Sequence, residues 1–185
     1  MYYAKRFGLA FIFVLGLSAC GGGVDMDVFD DMNPSGEDKR PAVEAGSDGT
    51  QVSQVSPDFT LSDTLGVSHT LSDELPSTRA VVLYFTMWCP VCDSHMTNMR
   101  ADIVPDYPDV RFYLVDYVSG SITLSRSMQV DNGYSSFNVL VDTNLELYYR
   151  YKASMGTTIV IDSSGVIQMT EDYNNSRLRA ALDAL

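Results

Sequence analysis

Apolar and polar positions alternate through Phe59-Thr60-Leu61 and again through Val67-Ser68-His69-Thr70-Leu71, either side of Leu65-Gly66. This pattern predicts a β-hairpin followed by a short turn near Asp73. The next segment, Ala80-Val81-Val82-Leu83-Tyr84-Phe85, is uninterruptedly apolar and rich in β-branched and aromatic residues, so it reads as a strand buried on both faces. A helix is expected over Pro90–Ile103, a second buried strand over Val110–Asp116, and a helix over Ser121–Val130. A third strand follows at Val139–Val141 and a short helix at Leu145–Tyr151. Thr158–Ile161 and Val166–Thr170 flank Asp162-Ser163-Ser164-Gly165, a good turn, and so form an antiparallel hairpin. The closing helix starts near Ser176, with Asn175 or Ser176 as its cap. Strands alternating with helices and then an antiparallel pair predict an α/β fold, a mixed central sheet with helices on both faces and the first hairpin as an N-terminal extension. No internal repeat is visible.

The 185-residue chain has room for one compact domain once its first part is set aside. Lys5 and Arg6 precede an apolar segment, Phe7 to Leu17, too short to span a bilayer comfortably, so residues 1–19 read as an export signal. Leu17-Ser18-Ala19-Cys20 resembles the lipobox of bacterial lipoproteins, which implies that Cys20 is lipidated and becomes the first mature residue. In the sorting pattern of two-membrane cells, Gly21 after that cysteine implies the outer membrane. The expected location is therefore the cell envelope, anchored by lipid and facing the periplasm. Residues 20–54 are Gly-, Asp- and Ser-rich, with few apolar residues to pack, and read as a flexible acidic tether; residues 55–185 are the expected folded domain. From residue 51 on, sixteen acids face eight bases, which argues against nucleic acid as a partner.

Assigning Cys20 to lipid leaves Cys89 and Cys92, in Trp88-Cys89-Pro90-Val91-Cys92, as the only thiols, in a compartment where disulfides persist. Cys89 falls where strand turns into helix. There its sulfur would face unpaired backbone N–H groups and the positive end of the helix dipole, which favour the thiolate. It is the expected nucleophile, with Cys92 one turn on as the resolving thiol and Pro90 at the first helical position. A structural bridge so short would constrain the unfolded chain little, and a zinc site would need ligands beyond the two cysteines.

Four segments resemble the thioredoxin superfamily, and within it the membrane-tethered thiol-disulfide oxidoreductases of the TlpA and ResA type, which share ground with the redoxin and peroxiredoxin group. They are Asp58-Phe59-Thr60-Leu61, Val82 through Cys92, Phe137 through Asp142, and Gly156 through Asp162 with Gly165. The resemblance implies a thioredoxin-like fold and protein thiols or disulfides as partners; no cofactor or metal is expected. It also implies that Trp88, Pro90, Met155, Gly156 and Thr157 contact substrate. Two positions depart from the family. Gly156 stands where a cis-proline usually faces the disulfide, an absence expected to uncover both sulfurs. Leu83 stands where thioredoxins bury an acid, while His95, three residues after Cys92, occupies the place of a glutamate frequent in the ResA type; at helical spacing its imidazole could take the resolving thiol's proton.

Two other functions fit less well. A peroxidase is suggested by Thr86 three residues before Cys89, but Val82 replaces that motif's proline, and a distant arginine such as Arg126 or Arg150 would have to bind peroxide. A copper-binding module would use Cys89, Cys92 and His95, or the flanking Met87 and Met96. His69 is expected to be exposed and without a role, and Tyr148, Tyr149 and Tyr151 to form one helix face.

Overall fold

The computed structural model describes residues 43–185, so the signal segment, Cys20 and most of the tether lie outside the described residues. Strands β1 (Thr60–Ser62) and β2 (Ser68–Thr70) form the expected antiparallel hairpin. Its turn is pinned by the Asp63 carboxylate, which accepts from the backbone N–H of Leu65 at 2.8 Å and of Val67 at 2.9 Å. A four-residue helix, α1 (Leu71–Glu74), leads to the central sheet.

That sheet has five strands in the order β5-β4-β3-β6-β7, with β3 (Ala80–Thr86) in the middle. β4 (Val110–Asp116) and β5 (Asn138–Val141) run parallel to β3, and β6 (Thr157–Asp162) and β7 (Ile167–Asp172) form the antiparallel half. Every residue of β3 is buried, as its unbroken apolar run requires. Alternate side chains serve two cores. Val82 and Tyr84 face α2 (Pro90–Asn98) and α5 (Asn175–Asp183), while Val81, Leu83 and Phe85 face the side that includes Phe59, Leu71 and Leu147 of α4 (Glu146–Arg150). The remaining helix, α3 (Ile122–Asp131), is capped by Ser121, whose Oγ accepts from Leu124 N at 3.2 Å.

The structure amends several expectations. α2 widens into a π-helical turn over Met99–Ile103 before Pro105, which has no N–H to continue the ladder. The cap of α5 is Asn174, whose side chain accepts from Arg177 N, and not Asn175 or Ser176. Residues 47–56, mostly placed in the tether by composition, pair with the β6–β7 hairpin: Ser53 N donates to Ile167 O and Ile167 N to Gln54 O.

His69 is not exposed. Its Nε2 lies 3.1 Å from Asp63 Oδ2 and its Nδ1 2.9 Å from Glu74 Oε1, with the Tyr113 hydroxyl 3.0 Å from the same Nδ1, so it ties the hairpin to α1 and β4. The three tyrosines of the α4 region do not share a face either: Tyr151 is buried, Tyr149 is exposed, and Tyr148 stacks on Tyr117 with ring centroids 4.9 Å apart.

Candidate active site

The carboxyl end of β3 delivers the cysteines. After Thr86 the chain turns through Trp88, whose φ of +59° lies in the left-handed region, and Trp88 N donates to Thr86 Oγ1 at 3.2 Å. The Trp88 indole is fixed from β4: its Nε1 donates to Asp116 Oδ2 at 2.8 Å. Cys89 then takes extended geometry and caps α2, its Sγ accepting from Cys92 N at 3.3 Å. Pro90 occupies the first helical position and is exposed.

The two sulfurs lie 2.9 Å apart as free thiols. Cys89 is half-buried and Cys92 fully buried, so omission of a proline ring at residue 156 does not uncover both sulfurs. Burial pushes the Cys92 thiol up, but the Cys89 thiol, the backbone at Met87 and Cys89 and the Thr86 hydroxyl hydrogen-bond its thiolate and bring it below the ordinary range. Of the unpaired helix N–H groups expected at Cys89, that of Cys92 reaches its sulfur, and a separate set of donors acts on Cys92.

His95 sits one turn beyond Cys92, but its hydrogen bond goes elsewhere: Nδ1 lies 3.1 Å from the Tyr84 hydroxyl. Its ring packs on Tyr173, centroids 4.7 Å apart. Burial lowers the imidazole below its ordinary value, and the Asp172 carboxylate opposes this in part. Tyr84 is fully buried. Burial and then the neighbouring Cys92 thiolate, by charge and by hydrogen bonding, push its phenol far up. Tyr84 was legible only as core filler in a strand; the one available signal was its alternation onto the face that receives α2. Leu83, on the opposite face, cannot meet the cysteines.

Opposite the cysteines, Gly156 has φ +88°, and none of the peptide bonds among the described residues is cis. Gly156 N donates to Phe85 O at 3.0 Å and its carbonyl accepts from Tyr173 N at 2.8 Å. A Cβ there would lie 3.6 Å from His95 Cε1, ordinary contact, so glycine is required by the backbone conformation and not by space. Met155 is partly buried against the core that holds Cys92 and Tyr84. Thr157 is buried, its Oγ1 accepting from Ser154 N at 2.9 Å.

The arginines considered for peroxide binding are engaged with other partners. Arg126 donates to Gln129 Oε1 at 2.9 Å, and Arg150 pairs with Glu146 and with Asp58 O. Met96 is core, and no group of three His, Cys, Asp or Glu side chains among the described residues is arranged to hold a metal ion.

A mixed sheet with helices on both faces, an N-terminal hairpin and a dithiol at the head of a helix define a thioredoxin-like fold. The AhpC/TSA family profile matches residues 52–170, and the chain belongs to that family. No curated protein matches its sequence significantly. Among solved structures it is similar to a proposed protein disulfide isomerase from Bacteroides thetaiotaomicron, with 22% identity and a TM-score of 0.62 over 73% of this chain and 87% of that one. It is also similar to a thioredoxin-like protein from Aeropyrum pernix, with 15% identity and a TM-score of 0.56 over 69% and 89%. A third similar structure is the peroxidoxin BcpB from Mycobacterium tuberculosis, with 18% identity and a TM-score of 0.56 over 71% and 95%. At these identities the likeness shows the fold.

Proposed function

We propose that this protein is an exported, lipid-anchored thiol-disulfide oxidoreductase that exchanges disulfides with partner polypeptides in the cell envelope. The observation that supports it is a half-buried Cys89 capping α2 with its sulfur 2.9 Å from that of a fully buried Cys92. Cys89, the sulfur a partner can reach, attacks a disulfide and forms a mixed disulfide while the partner's leaving sulfur departs as thiolate. Cys92 then attacks Cys89, the Cys89–Cys92 disulfide forms, and the second partner sulfur is released. The partner gains two electrons and the dithiol loses them; the reverse sequence oxidises a partner dithiol. Trp88, Pro90, Met155, Gly156 and Thr157 make up the rim and facing loop against which the partner chain docks, and His95 takes the resolving thiol's proton. The anchor is a lipid on Cys20, a reading supported by the lipobox-like Leu17-Ser18-Ala19-Cys20 at the end of the apolar N-terminal segment.

The test is trapping. A Cys92→Ser variant expressed with its export signal should accumulate mixed disulfides with envelope proteins, visible as reductant-sensitive adducts, and Cys89→Ser should not. Equal trapping by both variants, or by neither, overturns the reading. The family match and the likeness to a peroxidoxin favour peroxidase chemistry as the second reading. Peroxide consumption by purified protein with a thiol donor decides it; Arg126 is bonded to Gln129 and Arg150 to Glu146 and Asp58 O, which argues for low turnover.

A further inference from the structure

Attack by Cys92 requires that its proton leave a sulfur with no exposure to water. His95 was the natural acceptor at helical spacing, yet its Nδ1 is bonded to a different group, the Tyr84 hydroxyl, at 3.1 Å. Tyr84 rises from β3 beneath α2 in the same buried cluster as Cys92, whose sulfur is near enough to act on its phenol, and the Tyr84 hydroxyl also meets the half-buried His95 imidazole. We infer that Tyr84 relays the proton of Cys92 to His95 during resolution, a role that rests on the exchange reading above.

The step balances without an outside reagent. The Cys92 S–H proton passes to the Tyr84 oxygen as the Tyr84 O–H proton passes to His95 Nδ1, leaving a thiolate, a neutral phenol and an imidazolium. The thiolate attacks Cys89, the Cys89–partner bond breaks, and the partner sulfur leaves with the electron pair. The imidazolium then gives its proton to that sulfur or to solvent, which its partial exposure permits.

Tyr84 never carries charge in this sequence, as its burial demands, since burial and the nearby thiolate both disfavour the phenolate. His95 must begin neutral with Nδ1 as acceptor, and burial favours that form. The groups facing it are Tyr84 from β3, Asp172 at the end of β7 and Tyr173 just after it, with Cys92 one turn back on its own helix. Asp172 stabilises the imidazolium once formed, and Tyr173, stacked on the ring and tied through its N–H to Gly156 O, holds the ring in place.

The experiment is stopped-flow reaction of the reduced full chain with 5,5′-dithiobis(2-nitrobenzoate). The first thionitrobenzoate released reports attack by Cys89, and the second reports attack by Cys92 on the Cys89 adduct. In Tyr84→Phe the first phase should be unchanged and the second about tenfold or more slower at pH 7, within the range of general acid–base effects. The deficit should close by about pH 10, where a thiol ionises unaided. His95→Gln should show the same second-phase loss and pH profile, and the double variant should be no slower than either single one, because the two act in series. Should Tyr84→Phe fold poorly, Tyr84→Met, which also removes the hydroxyl and fills irregular core space, takes its place and is read in the same way. A second phase as fast as the wild type's, slowing that is equal at every pH, or losses that multiply in the double variant would each overturn the relay. Failure of the wild type to release any second thionitrobenzoate overturns the exchange reading itself and the relay with it.

Discussion

The indole of Trp88 donates to the carboxylate of Asp116 across 2.8 Å, joining the residue before Cys89 to the end of the neighbouring strand β4. Asp116 is buried, and its carboxylate also accepts from Ser119 Oγ and from the N–H groups of Val118 and Ser119. Trp88 is held in the left-handed region partly through this anchor, a conformation that costs a non-glycine residue about 1–2 kcal/mol.

Removing that anchor should cost stability and loosen the approach to Cys89. Asp116→Ala leaves three N–H groups and a hydroxyl without their acceptor and should lower unfolding free energy by about 3 kcal/mol in urea titration. Trp88 is the only tryptophan, so its emission should shift to the red in the same variant.

Gly156 resists the residue that its family position suggests. Gly156→Pro must abandon φ +88° for about −65° and gives up the hydrogen bond to Phe85 O, so it should destabilise by about 3 kcal/mol. Gly156→Ala, which meets only ordinary contact with His95, should lose about 1 kcal/mol. Chemical denaturation of the two variants measures both, and a proline variant as stable as the wild type would refute the assignment.

The hairpin cluster should make the fold sensitive to acid. At Asp63 and Glu74 burial pushes the carboxyls up, but hydrogen bonds from Val67 N and His69 at Asp63, and from His69 and Tyr113 at Glu74, outweigh it and both end lowered. A carboxyl lowered in the folded state contributes stability that is complete above its unfolded pKa, about 4, and is lost as pH falls through the folded value. Urea midpoints should therefore be insensitive to these groups between about pH 5 and 7 and drop below about pH 4. Asp63→Asn should flatten the acid limb. Asp142, raised by burial, contributes in the opposite sense and softens the drop.

His69→Ala should destabilise the protein by about 2 kcal/mol, because two largely buried carboxylates lose the group between them. The cluster shares no residue with the cysteine site, so disulfide exchange by the folded variant should equal that of the wild type. Thermal unfolding alongside an insulin-reduction assay checks both halves.

The order of strands and helices, the burial of β3 on both faces and the placement of two thiols at the head of a helix followed from the sequence, because each is set by local periodicity and by residues within one turn of each other. The partners of those residues did not. Tyr84 reaches His95 across eleven positions, Trp88 reaches Asp116 across twenty-eight, and His69 contacts Tyr113 across forty-four; each pair meets only because sheet pairing and helix packing bring separate elements together. Hydrophobic pattern can say that Tyr84 is buried, but which donor or acceptor waits at the end of its ring depends on the angle at which α2 crosses β3, and no stretch of local sequence encodes that angle.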